Sequence, residues 1–489
     1  MYTPDWESLA THRLPAWYDD AKLGIFIHWG LYSVPGWAPQ VADVQQQLKE
    51  AGPAYLLREN PYAEWYLNSS RLTGSPTWRH QRETYGPDAT YDDFVDPFDR
   101  GTAEADMAAI AAACRDAGAG YVVLTAKHHD GFCLWPTDLT HPRKGRYHAA
   151  RDIVADLRTA VLDVGMRMGL YYSGGYDWPY NDALLENPAD VMLAVPHTPD
   201  YVDYATAHVT ELIERYQPSV LWNDICWPAG GDLAALFARY YNVVPDGIIN
   251  DRWIESTAHR GAVTDAVARV GGRLVQRFWS IIPDGYKSLT FPANHHFDIR
   301  TPEYATFDSV QDKKWESTRG VGHSFGANRN ERPEDIVTTT ELVRSFVDIV
   351  SKNGNLLIGV GPDQYGRFPD EQLVPLRGLG AWLQTNGSAI YGTAPWHAAE
   401  ALTTEGTEVR FTQRDGALNA ILLDLPTREF AIRGIDSTAL TGVRMLGMDQ
   451  PIEWRVDAGT LHLRLPDRVP ASPAHVLVLG HGVRPMIQS

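Results

Sequence analysis

Five short stretches place side chains capable of acid–base or sugar chemistry at the end of an apolar run. They are Ile27-His28-Trp29-Gly30, Lys127-His128-His129-Asp130, Tyr171-Tyr172-Ser173-Gly174-Gly175, Leu221-Trp222-Asn223-Asp224 and Asn250-Asp251-Arg252-Trp253. In Tyr121 to Phe132 a β-branched run breaks without a turn residue into a lysine, two histidines and an aspartate. Imidazoles in such a place bind substrate hydroxyls, ligate a metal or are satisfied within the fold, and the residue types leave all three open. Side chains alternate along a strand, so His128 and His129 are expected on opposite sides if the strand runs through them, which disfavours a single shared metal. Asp224 ends a run beginning at Ser219, beside aromatic surface, where a carboxylate is costly to bury unless paired or put to use. Capping of the next loop is its plainer alternative. Glycoside hydrolysis needs two carboxylates flanking one bond, and Glu64, Glu303 and Glu316 are candidates for the second. Each reads equally well as a solvated loop acid or a helix-start residue.

Strands must deliver these groups. They are expected at Leu23–His28, Tyr121–Ala126, Arg167–Ser173, Ser219–Asp224, Gly247–Asn250 and Asn355–Val360, and the run from Tyr121 to Thr125, without period-2 alternation, reads as covered on both faces. Helical spacing of apolar residues fills the intervals at Thr102–Ala117, Asp152–Val164, Tyr201–Tyr216, Thr340–Lys352 and Glu371–Asn386. Repeated β-then-α units favour a (β/α) barrel, with function at the C-terminal ends of its strands. After Tyr391 the pattern becomes short alternating runs broken by Asp415-Gly416 and Asp457-Ala458-Gly459, the pattern of an antiparallel sandwich. The expected division is a catalytic barrel over 1–394 and a β-sandwich over 395–489, with 254–297 as a long, partly helical loop insertion.

With 43 basic against 61 acidic residues in 489, the net charge is −18, which argues against nucleic acid or an anionic membrane as partner. No apolar run approaches the roughly 20 residues of a membrane helix. No secretory signal is visible, and three cysteines without metal-like spacing suit a reducing compartment, so a cytoplasmic location is expected. Sixteen tryptophans and twenty-three tyrosines offer faces for sugar C–H groups, although ordinary core packing accounts for them as well.

Eight motifs in order carry a resemblance. KLGIFIHWG (22–30), AEWYLNS (63–69), YVVLTAKHHDGFCLWPT (121–137), GLYYSGG (169–175), VLWNDICWP (220–228), NDRW (250–253), KKWESTRGVGHSFGANRNE (313–331) and DIVSKNGNLLIGVGP (348–362) resemble the α-L-fucosidases of glycoside hydrolase family 29. The resemblance spans about Lys22 to Tyr391 and implies an irregular (β/α)8-like barrel followed by a β-sandwich. It also implies retention of configuration by double displacement, without metal or organic cofactor. The W-x-D aspartate of the family falls on Asp224, implying the nucleophile, with the acid/base about 5–5.5 Å away. The T-x-E-Y segment matches Thr301-Pro302-Glu303-Tyr304, implying Glu303 as acid/base. Glu64 is its competitor, and its counterpart in the family contacts the sugar. His28, Glu64, Trp65, His128, His129, Tyr171, Trp222 and Arg252 match the substrate-contacting positions. Cys226 departs from the family, where many relatives carry a small residue such as glycine; it reads as a small hydrophobe, with sensitivity to thiol reagents as the alternative. The implied substrate is a fucosylated oligosaccharide or glycoconjugate. A related α-L-galactosidase and a catalytically weak fucose-binding protein are the alternatives. The 254–297 insertion is long enough to reach a neighbouring subunit in a homo-oligomer.

Overall fold

The computed structural model describes residues 1–41, 44–256, 261–281, 294–436, 440–480 and 484–485. Seven parallel strands are β1 (Leu23–Ile27), β2 (Tyr121–Lys127), β3 (Arg167–Ser173), β4 (Val220–Asp224), β5 (Ile248–Ile249), β6 (Trp315–Gly320) and β7 (Gly354–Val360). They form one curled sheet in the order β5-β4-β3-β2-β1-β7-β6. Residues 298–304 link its two edges. Asn250 bridges Ile299, while Arg300 and Glu303 bridge Trp315 and Thr318 of β6. Backbone bonds from Thr318 N to Pro302 O (3.1 Å) and from Tyr304 N to Thr318 O (3.0 Å) hold this irregular stave in place. Asp298 anchors its start, accepting from Ile249 N, Tyr241 O–H and His12 Nδ1 at 2.8–2.9 Å.

One face of each strand looks into the barrel and the other lies beneath helices, which is why the strands other than β6 are largely apolar. Phe26, Tyr121, Val123, Tyr171, Val220, Trp222, Ile248, Ile299 and Leu357 fill the interior. Period-2 geometry carries that inner face up to the site, from Phe26 to His28, from Trp222 to Asp224 and from Glu316 to Thr318.

Two readings need correction. The helix expected over Thr102–Ala117 is two, Val95–Ala103 and Met107–Asp116, because Asp106 takes an extended conformation and caps the second by accepting from Ala109 N. Strand β6 was not anticipated, since Trp-Glu-Ser-Thr-Arg-Gly has no apolar run. Within the insertion, Ala262–Arg277 is helical, while residues 257–260 and 282–293 lie outside the described residues.

The antiparallel part begins with the edge strand Ala394–Leu402 and comprises sheets of five, three and two strands. Phe411, Leu418, Leu422, Phe430, Leu461 and Leu477 belong to its core. It packs on the barrel helices through Arg410 Nε donating to Asp348 Oδ1 and Trp382 Nε1 donating to Ala474 O.

Candidate active site

A cavity of about 150 Å³ opens at the C-terminal end of the barrel, and all ten side chains singled out from the sequence line it. This is smaller than the ~300 Å³ at which drug-sized sites begin, and suits a single small ring.

Asp224 ends β4 and is followed by two residues in the left-handed region, Ile225 (φ 55°) and Cys226 (φ 65°). That conformation is an outlier for a β-branched residue, and such strain persists only where its surroundings fix it. Asn223 Nδ2 fixes it by donating to both Cys226 O and Arg252 O. Gly175 makes room, since a Cβ there would lie 1.6 Å from Ile225 O. Cys226 is itself buried in an apolar cluster with Leu57, Tyr176 and Trp178.

Arg252 organises the carboxylates. Its Nη1 lies 2.8 Å from Asp224 Oδ1 and 2.8 Å from Glu303 Oε1, so the two oxygens are no farther apart than twice that distance. Nη2 donates to Thr301 O at 2.9 Å, and the guanidinium sits 4.6 Å above the Trp222 ring. Burial alone pulls the Arg252 pKa down, but Glu303 and then Asp224 outweigh it and hold the guanidinium charged. Tyr171 O–H donates to the other oxygen, Asp224 Oδ2, at 2.9 Å.

His128 and His129 both line the cavity, with ring centroids 4.0 Å apart. The expectation of opposite sides is overturned because β2 ends at Lys127, after a register irregularity from Thr125, so strand alternation no longer applies to them. Lys127 and Asp130 face elsewhere. Lys127 pairs with buried Asp177 at 3.2 Å and Asp130 accepts from Tyr91 O–H at 2.7 Å. Ser173 Oγ donates to Tyr176 O, so His129 donates from Nδ1 to Ser173 and keeps Nε2 as an acceptor. Burial lowers the pKa of all three imidazoles, His28 to about 3, and they are neutral at physiological pH. His28 Nδ1, His128 Nδ1 and Thr318 Oγ1 are buried without a hydrogen-bond partner among the described residues. Buried orphans are rare in folded proteins and call for a ligand or water.

Glu64 is buried beside Trp65, accepting from Gly326 N at 2.9 Å and Ser324 Oγ at 3.2 Å. Burial pushes its carboxyl up to about 7 despite those donors. Glu316, the remaining acid considered, lies beneath the cavity and accepts from Tyr18 O–H, Tyr121 O–H and Trp222 Nε1. Phe26, Tyr62, Ile225, Thr318 and Phe325 also line the cavity and were not anticipated. Phe26 and Tyr62 stand two residues before His28 and Glu64, a spacing that could have revealed Phe26. Among the described residues no group of three or more His, Cys, Asp or Glu side chains is placed to hold a metal ion.

A family model described as Alpha-L-fucosidase matches residues 1–388. An α-L-fucosidase of Dictyostelium discoideum is 31% identical, over 81% of this chain and 75% of its own. The tissue α-L-fucosidase of Rattus norvegicus is 30% identical, over 93% and 86%. Thermotoga maritima α-fucosidase, solved in complex with fucose, is 40% identical, covers 98% of this chain and all of its own, and superimposes with a TM-score of 0.81. Seen with the barrel, the paired carboxylates and the single-ring cavity, these matches have one meaning: the chain belongs to the α-L-fucosidase family of glycoside hydrolases.

Proposed function

We propose that this α-L-fucosidase is exo-acting and retains anomeric configuration through a covalent glycosyl-enzyme intermediate. The observation that carries this reading is the pair of carboxylate oxygens held on one Arg252 nitrogen, no farther apart than twice 2.8 Å, which is short of the roughly 6.5–9.5 Å that inverting enzymes need. Asp224, held in place by Arg252 and Tyr171, attacks C1 while Glu303 gives its proton to the departing glycosidic oxygen. Glu303 then takes a proton from water, which attacks C1 and frees Asp224. Glu303, with its side chain 40% exposed, stands at the mouth of the cavity, where the leaving-group oxygen would lie. The orphaned nitrogens of His28 and His128 and the acceptor Nε2 of His129 suit ring hydroxyls, and Phe26 and Phe325 offer an apolar wall for the C6 methyl. A Thermotoga maritima relative with one aspartate changed to glycine is described as an α-L-fucosynthase, and the α-fucosidase has been solved with a mechanism-based inhibitor. The three cysteines are all buried, which suits a reducing, cytoplasmic location.

Glu64 as proton donor is the second reading, favoured by its carboxyl at about 7, in the range of a general acid. Kinetics of variants separate the two. Asp224→Ala should lose on the order of 10³-fold or more in kcat and recover with azide, giving an inverted β-fucosyl azide. Glu303→Ala should slow substrates with poor leaving groups far more than activated aryl fucosides. Equal slowing of both by Glu303→Ala, with the leaving-group dependence moving to Glu64→Ala, overturns the assignment to Glu303.

A further inference from the structure

The helix Ala262–Arg277 is inside out. Its polar face is docked on its own barrel: Arg269 Nε donates to Asp190 Oδ1 at 2.9 Å, and Gln276 accepts from Ala54 N and donates to Ala51 O. Between these, Gly272 sits so close that a Cβ would lie 2.1 Å from Asn187 Oδ1. Residues 269, 272 and 276 share one side of the helix at 3.6 residues per turn. The other side carries Val263, Val267, Val270, Leu274 and Phe278, between 49 and 77% exposed. Amphipathic helices of soluble proteins normally present these two faces the other way round, and a contiguous exposed apolar stripe marks an interaction surface.

We propose that this stripe is the seam of a two-fold dimer in which the helix pairs antiparallel with its counterpart in a second copy of the chain. The spacing is self-complementary about the 270–271 junction. Antiparallel pairing sets Val263 against Phe278, Val267 against Leu274, and Val270 against Gly271 of the partner copy, as an isologous contact requires. Gly271 has open space around it and lets the two backbones approach where the helices cross. Charge selects the direction. Arg277, in the last turn, borders the stripe, so parallel pairing would stack the two arginines, whereas antiparallel pairing keeps them apart and sets unlike ends of the helix dipoles together. A net charge of −18 sets an anionic bilayer against this surface as the alternative occupant. A seam about 24 Å long and about 10 Å wide is smaller than the roughly 800 Å² per partner of a standard interface, so the dimer is weak and concentration-dependent.

Sedimentation velocity of the full chain over roughly 1–100 μM, the affinity range of so small a seam, tests this. Wild type should shift from monomer to dimer across that range, more readily at high salt because an apolar seam works against like net charges. Val267→Glu should stay monomeric with turnover unchanged at high dilution. The three native cysteines are buried, which allows a geometric check: Gly271→Cys should cross-link under mild oxidation and Val263→Cys should not, since only 271 lies at the two-fold axis. Wild type monomeric throughout overturns the proposal, as does dimerisation that survives Val267→Glu.

Discussion

Glu316 shows how a side chain outside the cavity shapes the chemistry within it. Its carboxyl, fully buried in the barrel, accepts from two tyrosines and from Trp222 Nε1 at 3.2 Å. Burial raises its pKa in spite of three donors. The indole so fixed lies between the Tyr171 ring, stacked at 5.5 Å, and the Arg252 guanidinium, 4.6 Å above it. Glu316 therefore reaches Asp224 and Glu303 through Trp222 and Arg252. An amide at this place offers one acceptor oxygen and turns a donor toward groups that are donors themselves. Glu316→Gln should cost about 1–3 kcal/mol of stability and lower kcat about tenfold with little change in KM. The positional role has its own readout in a double-mutant cycle with Trp222→Phe, which keeps the ring and removes the N–H. If Glu316 acts through Trp222, the double variant loses no more kcat than the worse single one; additive losses would sink the idea.

At the scale of elements, function depends on two irregular pieces of backbone, the turn after Asp224 and the 298–304 stave that carries Glu303. The turn tolerates its left-handed pair only because Gly175 lets Ile225 O pass at contact distance. The obstacle to a methyl at 175 is backbone, which cannot swing aside. Gly175→Ala should therefore displace the turn and reduce kcat at least 100-fold while lowering Tm, the order expected when a reacting group is misplaced by about 1 Å. Wild-type turnover and Tm in that variant would show that the turn has more slack than its geometry implies. The sequence made the apolar strands and their polar ends legible because β-branched runs buried on both faces leave a plain signal. What it hid follows from the same physics. Strand β6 is polar because its inner face holds Glu316, satisfied by Tyr18, Tyr121 and Trp222 from distant parts of the chain, and Thr318, which faces the cavity. The 298–304 stave is ordered by Asp298 and Asp251, which accept from Ile249 N and Thr301 N, and no local periodicity records such bonds. The sequence leaves the placement of the histidine pair conditional for a related reason: alternation holds only while the strand lasts, and β2 stops at Lys127, just before it.

Across the whole molecule, buried titratable groups pull stability in opposite directions with pH. His28 and His208 are pushed down to about 3, and His128 and His129 well below 6.5, all chiefly by burial. A depressed imidazole pKa contributes stability that is present above pH 6.5 and lost as pH falls, because the unfolded chain takes up the proton first. Glu64 and Glu331 are pushed up to about 7 and Asp130 to about 6, again chiefly by burial. A raised carboxyl pKa has the opposite consequence. Its contribution is complete below about pH 4.5, the unfolded value, and disappears as pH rises through 7. Between pH 4.5 and 6.5 the two sets therefore offset each other and flatten the stability curve. Glu331 allows the balance to be measured away from the cavity, since its Oε1 accepts from Ser324 N at 2.8 Å and a glutamine oxygen can keep that bond. Glu331→Gln removes one opposing carboxyl. Its stability relative to wild type should climb by up to about 1.4 kcal/mol per pH unit from pH 4.5, then level off near pH 7. Urea unfolding at half-unit steps from pH 4.5 to 8 measures the difference directly. A difference that stays constant across that window would mean that Glu331 ionises in the fold as it does in the unfolded chain, and that the flat curve has another origin.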